Sequence, residues 1–491
     1  MPQKAPLNTK PSSSRDSDYV TIQNVKKLKT KHILNHLEKF YDIALKNNNS
    51  RSTTNGYNQT ANYVLQQLVG ANACEARIQY FKVPIWSDLG SPKLTLISEN
   101  SSISFIPNTD FGYLRYGGNS ASIKNASMVY IPNGACSSLD YSQIDIANKV
   151  ALIDNPSKCS LFEASFALEQ MGAAAVLIST PKSATKPSYA RVRIVDWKEN
   201  DPLMNIPVLS ITHSTFNVLI TSSRYNSTLD IDTKAQIKVV DTFNIICEGK
   251  TGNRNNTIVV GSHLDSVAFG PGINDNGSGS ASTLEICLLL HKRSKKKQPK
   301  NKLVFVWFGS EEDGLLGSRH FIRDLQSSNN SQSISQDIPS LKLSEIAMNL
   351  NFDMIASPNY IPLVHNGSDA PAPAKCGSII VQRTFEKYFT SVANKRYKIT
   401  DMIGGSDFLP FINAGIPSGG ILTGASEIKT EQERILFGGI ANAQLDPCYH
   451  KYCDTINNIN RDALNLMSKG AMYTISHFAN SVDLRNELSI C

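Results

Sequence analysis

Residues 305–318 read FVWFGSEEDGLLGS. The apolar run KLVFVWFGS stops at Gly309 and Ser310, and a helix-like stretch, LLGSRHFIRDL, begins at Leu315. Strand, tight break and helix in that order form the repeating unit of an α/β sheet. Glu311 and Glu312 stand side by side in the break, and no lysine or arginine lies between Leu303 and Ser318. Adjacent like charges just beyond a buried strand need a countercharge from elsewhere.

Outward from this stretch the same alternation continues. TIVVGSHLD reads as a strand, SASTLEICLLLHKR as a helix and EIAMNLNFDMI as a strand. SIIVQRTFEKYFTSVANK reads as a helix, IPSGGILTG as a strand, and RDALNLMSKGAMYTISHFANSV as the last helix. The expectation is an α/β fold with a central sheet covered by helices, in which ligands sit beyond the carboxyl ends of the strands. Upstream, residues 1–19 are polar and Pro/Ser-rich and read as a disordered arm. One helix is expected over Val20–Lys46 and a second over YNQTANYVLQQLVG, followed by a strand at CEARIQYFKVPIW. Residues 122–236 differ in texture, with short β-like runs between turns and one helical stretch, SLFEASFALEQMG. This reads as an inserted α+β domain that divides a larger one into 20–121 and 237–491. Cys136 and Cys159 both lie in it and could pair.

The 491 residues exceed one ordinary core. With 41% hydrophobic and 19% charged residues the balance is that of a globular chain. Net charge is +7, yet its one dense basic run, HKRSKKKQPK, has no interleaved aromatics. That reads as a solvated helix end, and no nucleic-acid partner is expected. No stretch reaches the roughly 18 apolar residues of a membrane span, and no secretory signal is visible. Nine cysteines exclude complete internal pairing. Sequons begin at Asn48, Asn58, Asn100, Asn125, Asn226, Asn255, Asn276, Asn329 and Asn366, which tilts the compartment towards the secretory route. The oligomeric state is not legible.

Polar residues collect just after the strands. His263 and Asp265 follow TIVVGS, and Asp275 lies in the Gly-rich GPGINDNGSGS. Glu311 and Glu312 follow KLVFVWFGS, Asp353 ends EIAMNLNF, and CYHKYCD carries His450. Taken singly each has a bland reading as a cap, a turn residue or a solvated group; Glu311 and Glu312, for instance, could open a helix. Together, imidazoles and carboxylates suit zinc rather than calcium or magnesium. The inventory fits two metals sharing one carboxylate, a pair about 3.5–4 Å apart that clamps a water.

The motifs GSHLDSV, GPGINDNGSG, FGSEEDGLLGS, LNFDMI, GIPSGGILTG and CYHKYCDT resemble the co-catalytic zinc aminopeptidases, among them secreted bacterial enzymes and the fungal vacuolar aminopeptidase Y group. The motifs are dense over about residues 256–485, and the block 122–236 is similar to that group's protease-associated domain. The resemblance implies a zinc exopeptidase fold with two Zn2+ per chain. It implies His263, Asp275, Glu312, Asp353 and His450 as ligands, with Asp275 bridging, His263 and Asp353 on one metal, and Glu312 and His450 on the other. Glu311 matches the general base, Tyr449 the oxyanion donor and Asp265 the acid that orients His263. Cys448 and Cys453 match a small disulfide loop, and hence an oxidising compartment, secreted or vacuolar.

Two positions depart from the pattern. Where some bacterial members carry an arginine, this chain has Gly404 and Gly405 ahead of Ser406 and Asp407. Recognition of the substrate's end then rests on Glu311 and Asp353. An often aromatic position is Leu422, which with Met354 resembles an apolar pocket for leucine-like residues. The implied activity is removal of the N-terminal residue from peptides with a free N-terminus. A carboxypeptidase or dipeptidase on the same scaffold and a non-catalytic receptor-like relative are the alternatives. Asn276, beside Asp275, is expected to carry no glycan.

Overall fold

The computed structural model describes residues 13–193, 197–294, 297–327, 341–402 and 405–491. Of the disordered arm expected over residues 1–19, residues 1–12 lie outside these, as do the sequon at Asn329 and the position of Gly404, while residues 13–19 are helical. From Ser13 the chain is helical, in two helices rather than one, Ser13–Lys27 and Thr30–Leu45. The second buries Ile33, Leu37, Phe40 and Ala44 at helical spacing.

The chain divides into two compact units, residues 1–81 with 242–491, and residues 82–241. In the larger unit the strand Asn301–Phe308 alternates strictly. Leu303, Phe305 and Trp307 belong to one apolar cluster, and Val304, Val306 and Phe308 to another. Both faces of the strand are therefore covered, as period-two side chains require in a sheet between two helical layers. The strand runs parallel to Asn253–His263, which runs parallel to Ile346–Phe352, itself parallel to Ser418–Leu422. Leu363–His365 adds antiparallel to Ser418–Leu422, with Lys398–Thr400 outside it. Residues 245–248 close the other side, antiparallel to Asn301–Phe308.

This is the expected mixed α/β sheet between helices. Its order matters for the site, because strands ending in His263 and Phe352 lie side by side, with the Phe308 end next to His263. The first cluster also takes in the helices Gly279–Ser294 and Arg461–Ala479 through Leu284, Met467 and Ile475.

The smaller unit begins at Lys82, earlier than the expected 122; it takes in most of the long strand Glu75–Ser98, which pairs with Ser101–Ser104, and the edge strand Phe111–Tyr113, antiparallel to Val208–Ile211. Ala121–Ile131, Val150–Ile153, Ala175–Ser179 and Val208–Ile211 run parallel. The helix Leu161–Gln170 between two of them starts on a Ser160/Glu163 capping box.

Disulfides join Cys136–Cys159 and Cys448–Cys453, as the sequence led one to expect, and also Cys74–Cys247 and Cys376–Cys491. By loop entropy the Cys74–Cys247 bridge, closing 173 residues, stabilises by about 5 kcal/mol. The Cys448–Cys453 bridge closes only 5 and contributes about 2 kcal/mol, so its main effect is on local shape. Buried Cys287 is left over. Alkylation of the native protein should therefore label no thiol, and alkylation in denaturant without reductant should label Cys287 alone. A second labelled cysteine would contradict the pairing.

Candidate metal centre

His263 is the last residue of its strand, and its ring is buried among carboxylates. Its Nδ1 lies 3.1 Å from the backbone carbonyl of Asp265. A carbonyl only accepts, so Nδ1 carries a hydrogen, and Nε2 is the nitrogen left to meet a cation. Nε2 faces Asp275 Oδ1 at 3.4 Å and Asp353 Oδ1 at 3.3 Å. On the other side His450 Nε2 lies 3.2 Å from Asp275 Oδ2 and 3.1 Å from Glu312 Oε2. One carboxylate thus turns an oxygen towards each imidazole. The two resulting groups, His263–Asp275–Asp353 and Asp275–Glu312–His450, each keep their ligand atoms within 4.8 Å of one another.

The four separations run from 3.1 to 3.4 Å. They are close to the edge of about 3.3 Å expected between tetrahedral ligands held about 2.0 Å from a common ion. Asp353 Oδ1 is buried and receives no hydrogen bond. Donor type, spacing and this orphaned oxygen all fit divalent zinc-like cations.

The chain shapes each ligand's approach. Gly309 ends the strand where a Cβ would fall 2.5 Å from Tyr57 Oη, so the chain can turn there only with glycine. Ser310 follows with φ +59°, and the turn then brings both glutamates round. Glu311 N–H donates to Asp265 Oδ1 at 3.1 Å and Glu312 N–H to Oδ2 at 3.2 Å. Asp265 thus grips the backbone of the glutamate pair with both oxygens, while its own Oδ1 stays 3.7 Å from His263 Nδ1. Glu311 Oε2 ends 4.0 Å from His263 Nε2.

The Asp275 loop is held from three sides. Asp454 accepts the N–H groups of Asn274 and Asp275 at 2.9 and 3.0 Å, tying this loop to the one that carries His450. Asn276, with no exposed surface, donates to Phe352 O and accepts from Gly279 and Met354 N–H. Asn274 donates to Asp446 and Ser357. His450 has φ +57°, and the Tyr449 ring stacks on it with centroids 3.8 Å apart. Ser406 relays from Asn351 to Asp353 Oδ2 through two bonds of 2.7 Å. Met354, at φ +49°, accepts the Thr423 N–H at 2.8 Å, which sets it beside the end of the Leu422 strand.

Protons take up the crowding of charge in the protein alone. Burial, with Asp275 beside it, pushes Glu312 up to about 7. Burial, then Glu312, Asp407 and Asp353, push Glu311 well above the carboxylate range. Burial alone would lower His450, but Glu312 and Asp275 outweigh it and hold the imidazole up to about 11. His263 is likewise held well above its ordinary value, by Asp353 and Glu311 against burial. Burial and the surrounding carboxylates also raise Tyr449.

All of the expected metal-site residues converge, from five separate motifs. Sequence reading gave no role to Asp454 and Asn274, which hold the ligand loops, or to Ser406, which holds Asp353. Asp454 stood within the quoted CYHKYCDT and Ser406 beside the noted glycines, but only contacts reveal what they do.

The profile of Peptidase family M28 matches residues 244–475. The chain is 32% identical over 460 residues to an aminopeptidase of Pseudomonas aeruginosa, covering 91% of this chain and 81% of that protein. It is 34% identical over 369 residues to a probable leucine aminopeptidase 2 of Aspergillus fumigatus, covering 73% and 67%. The crystal structure of a zinc aminopeptidase from Bacillus subtilis superposes with a TM-score of 0.56 at 21% identity, over 91% of this chain and 94% of that one, which shows a common fold.

Because both amide groups of Asn276 are engaged and buried, glycopeptide mapping of active protein should find that sequon bare. Sugar on Asn276 would contradict the loop's packing.

Proposed function

This chain belongs to Peptidase family M28, and from that premise we propose that it is a zinc aminopeptidase with two Zn2+ per chain, removing a leucine-like residue from the free N-terminus of peptides. The carrying observation is the Asp275 carboxylate, one oxygen towards His263 and the other towards His450. His263 and Asp353 would hold one cation, Glu312 and His450 the other, and Asp275 both. When bound, the pair would acidify a clamped water to a pKa of about 7 and polarise the scissile carbonyl.

The remaining chemistry falls to the chain's own groups. Glu311, buried with its Oε2 4.0 Å from His263 Nε2, would stand beside the clamped water to take its proton and pass it to the leaving amine. Asp265 fixes the backbone at Glu311 and Glu312, so the base and the ligand keep different aims. Tyr449, its hydroxyl kept protonated by burial and by nearby carboxylates, would donate to the developing oxyanion. The Cys448–Cys453 bridge shapes the short loop that carries Tyr449 and His450. With Gly405 in place of an arginine, the substrate's ammonium would be met by the carboxylates of Glu311 and Asp353. Met354 and Leu422 would line the pocket for the first side chain.

Four disulfides support folding in an oxidising compartment, on the secreted or vacuolar route. Among the described residues no helix is long and apolar enough to cross a membrane. The inserted unit resembles a protease-associated domain.

A panel of leucine anilides tests the reading. The free-amine substrate should be cleaved, its N-acetylated form should not, and chelator should abolish turnover. Cleavage only of C-terminally free, N-blocked peptides would instead identify a carboxypeptidase. Glu311→Gln should keep its zinc and lose at least about 100-fold in kcat; wild-type turnover by this variant would overturn the role of Glu311.

A further inference from the structure

Arg51 lies in NNNSRSTTNG, a stretch that reads as a surface turn, yet the residue is fully buried. All three guanidinium nitrogens donate to backbone carbonyls of one segment. Nε reaches Pro271 O at 2.7 Å, Nη1 reaches Leu264 O at 2.5 Å and Nη2 reaches Gly272 O at 2.5 Å. The backbone joins in, with Arg51 N–H donating to Ser266 Oγ at 2.9 Å and Ser266 N–H donating to Arg51 O at 3.3 Å. The Phe40 ring lies 5.4 Å from the guanidinium carbon and closes the pocket on another side.

The segment that Arg51 ties, residues 264–272, runs from His263 to the Asp275 loop. At its near end is Asp265, which grips the glutamate pair. At its far end Gly272 has φ +58°, and a Cβ there would fall 2.1 Å from Asp275 O and 3.2 Å from Arg51 Nη2. Burying a guanidinium strips it of water and is costly unless its donors are met. An apolar side chain of similar size would avoid that cost but leave three buried carbonyls without donors. The charge also has partners at a distance, since Asp265, Asp454, Asp275 and Glu312 lie within its electrostatic reach.

We propose that Arg51 is a positioning residue for the metal centre: it pins the 264–272 segment so that Asp265 and Asp275 hold their aims before any cation arrives, and its charge offsets part of their mutual repulsion. The inference rests on the two-metal reading. Arg51 touches no substrate and no reacting atom; it acts through the loop that carries the bridging carboxylate. Partners that orient metal ligands from behind typically contribute about 10–100-fold in metal affinity.

The test uses the full chain, stripped with chelator and titrated with Co2+, read by visible absorbance and by unfolding temperature. Arg51→Met should bind Co2+ about 10–100-fold more weakly, and Arg51→Lys, which keeps the charge but not the three-way fork, should fall between it and the wild type. A folded Arg51→Met with wild-type Co2+ affinity, only less stable with and without metal alike, would overturn the proposal by making Arg51 a core residue. Should Arg51→Met fail to fold, Arg51→Lys decides. Weaker affinity at an unchanged unfolding temperature in chelator supports the proposal, and wild-type affinity overturns it. The wild-type titration separates the two readings. Fewer than two Co2+ per chain would remove the two-metal centre itself, whereas two in the wild type with weakened binding in the variants supports the role of Arg51.

Discussion

Asp275 shares its two carboxylate oxygens between two imidazoles, and the rest of the site is arranged around that sharing. Glu311, Glu312 and Asp353 crowd the same buried space. Two unit charges about 4 Å apart cost about 4 kcal/mol at an effective dielectric constant near 20. A site with this many carboxylates cannot stay fully ionised without cations. In the protein alone, protons supply the balance, which is why Glu312 is pushed up to about 7 and His450 to about 11. Two dications would displace those protons and return each group to the ionisation its role requires. The adjacent glutamates, unexplained from their own stretch of sequence, are the local form of this constraint.

The fold answers the constraint by geometry. Parallel strands bring the His263 and Phe352 ends together, and the turn after Gly309 adds the glutamates from the neighbouring strand. The remaining ligands come from loops, and loops need ties. Asp265 holds the glutamate backbone, Asp454 joins the Asp275 loop to the His450 loop, and Asn276 joins it to the end of the Asp353 strand. Each tie is a side chain bonded to backbone N–H or C=O groups. Such contacts fix a loop's path independently of the ligand's own rotamer, and so prearrange the centre.

What was legible in the sequence follows from the range of the signal. The strand at 301–308 could be read because its alternation is local, and its burial on both faces shows in an unbroken apolar run. The ligands could be read because each directly follows such a strand, and because their order resembles that of a known family. The start of the inserted unit could not, since the boundary at Lys82 falls inside one continuous strand, Glu75–Ser98, and the Phe111–Tyr113 strand gains its place only by pairing with Val208–Ile211. The break between the first two helices at Leu28 and Lys29 carries no glycine or proline to mark it. Arg51 was hidden most completely. Its neighbours are polar turn formers, and its burial depends on carbonyls more than two hundred residues further along the chain.

The central claim is that Asp275 bridges two cations. Crystals of the zinc-loaded protein, measured on both sides of the zinc absorption edge, test it directly. The account predicts two anomalous peaks about 3.5–4 Å apart on either side of the Asp275 carboxylate, one beside His263 and Asp353 and the other beside Glu312 and His450. A single peak, or two peaks that do not share Asp275, would contradict it.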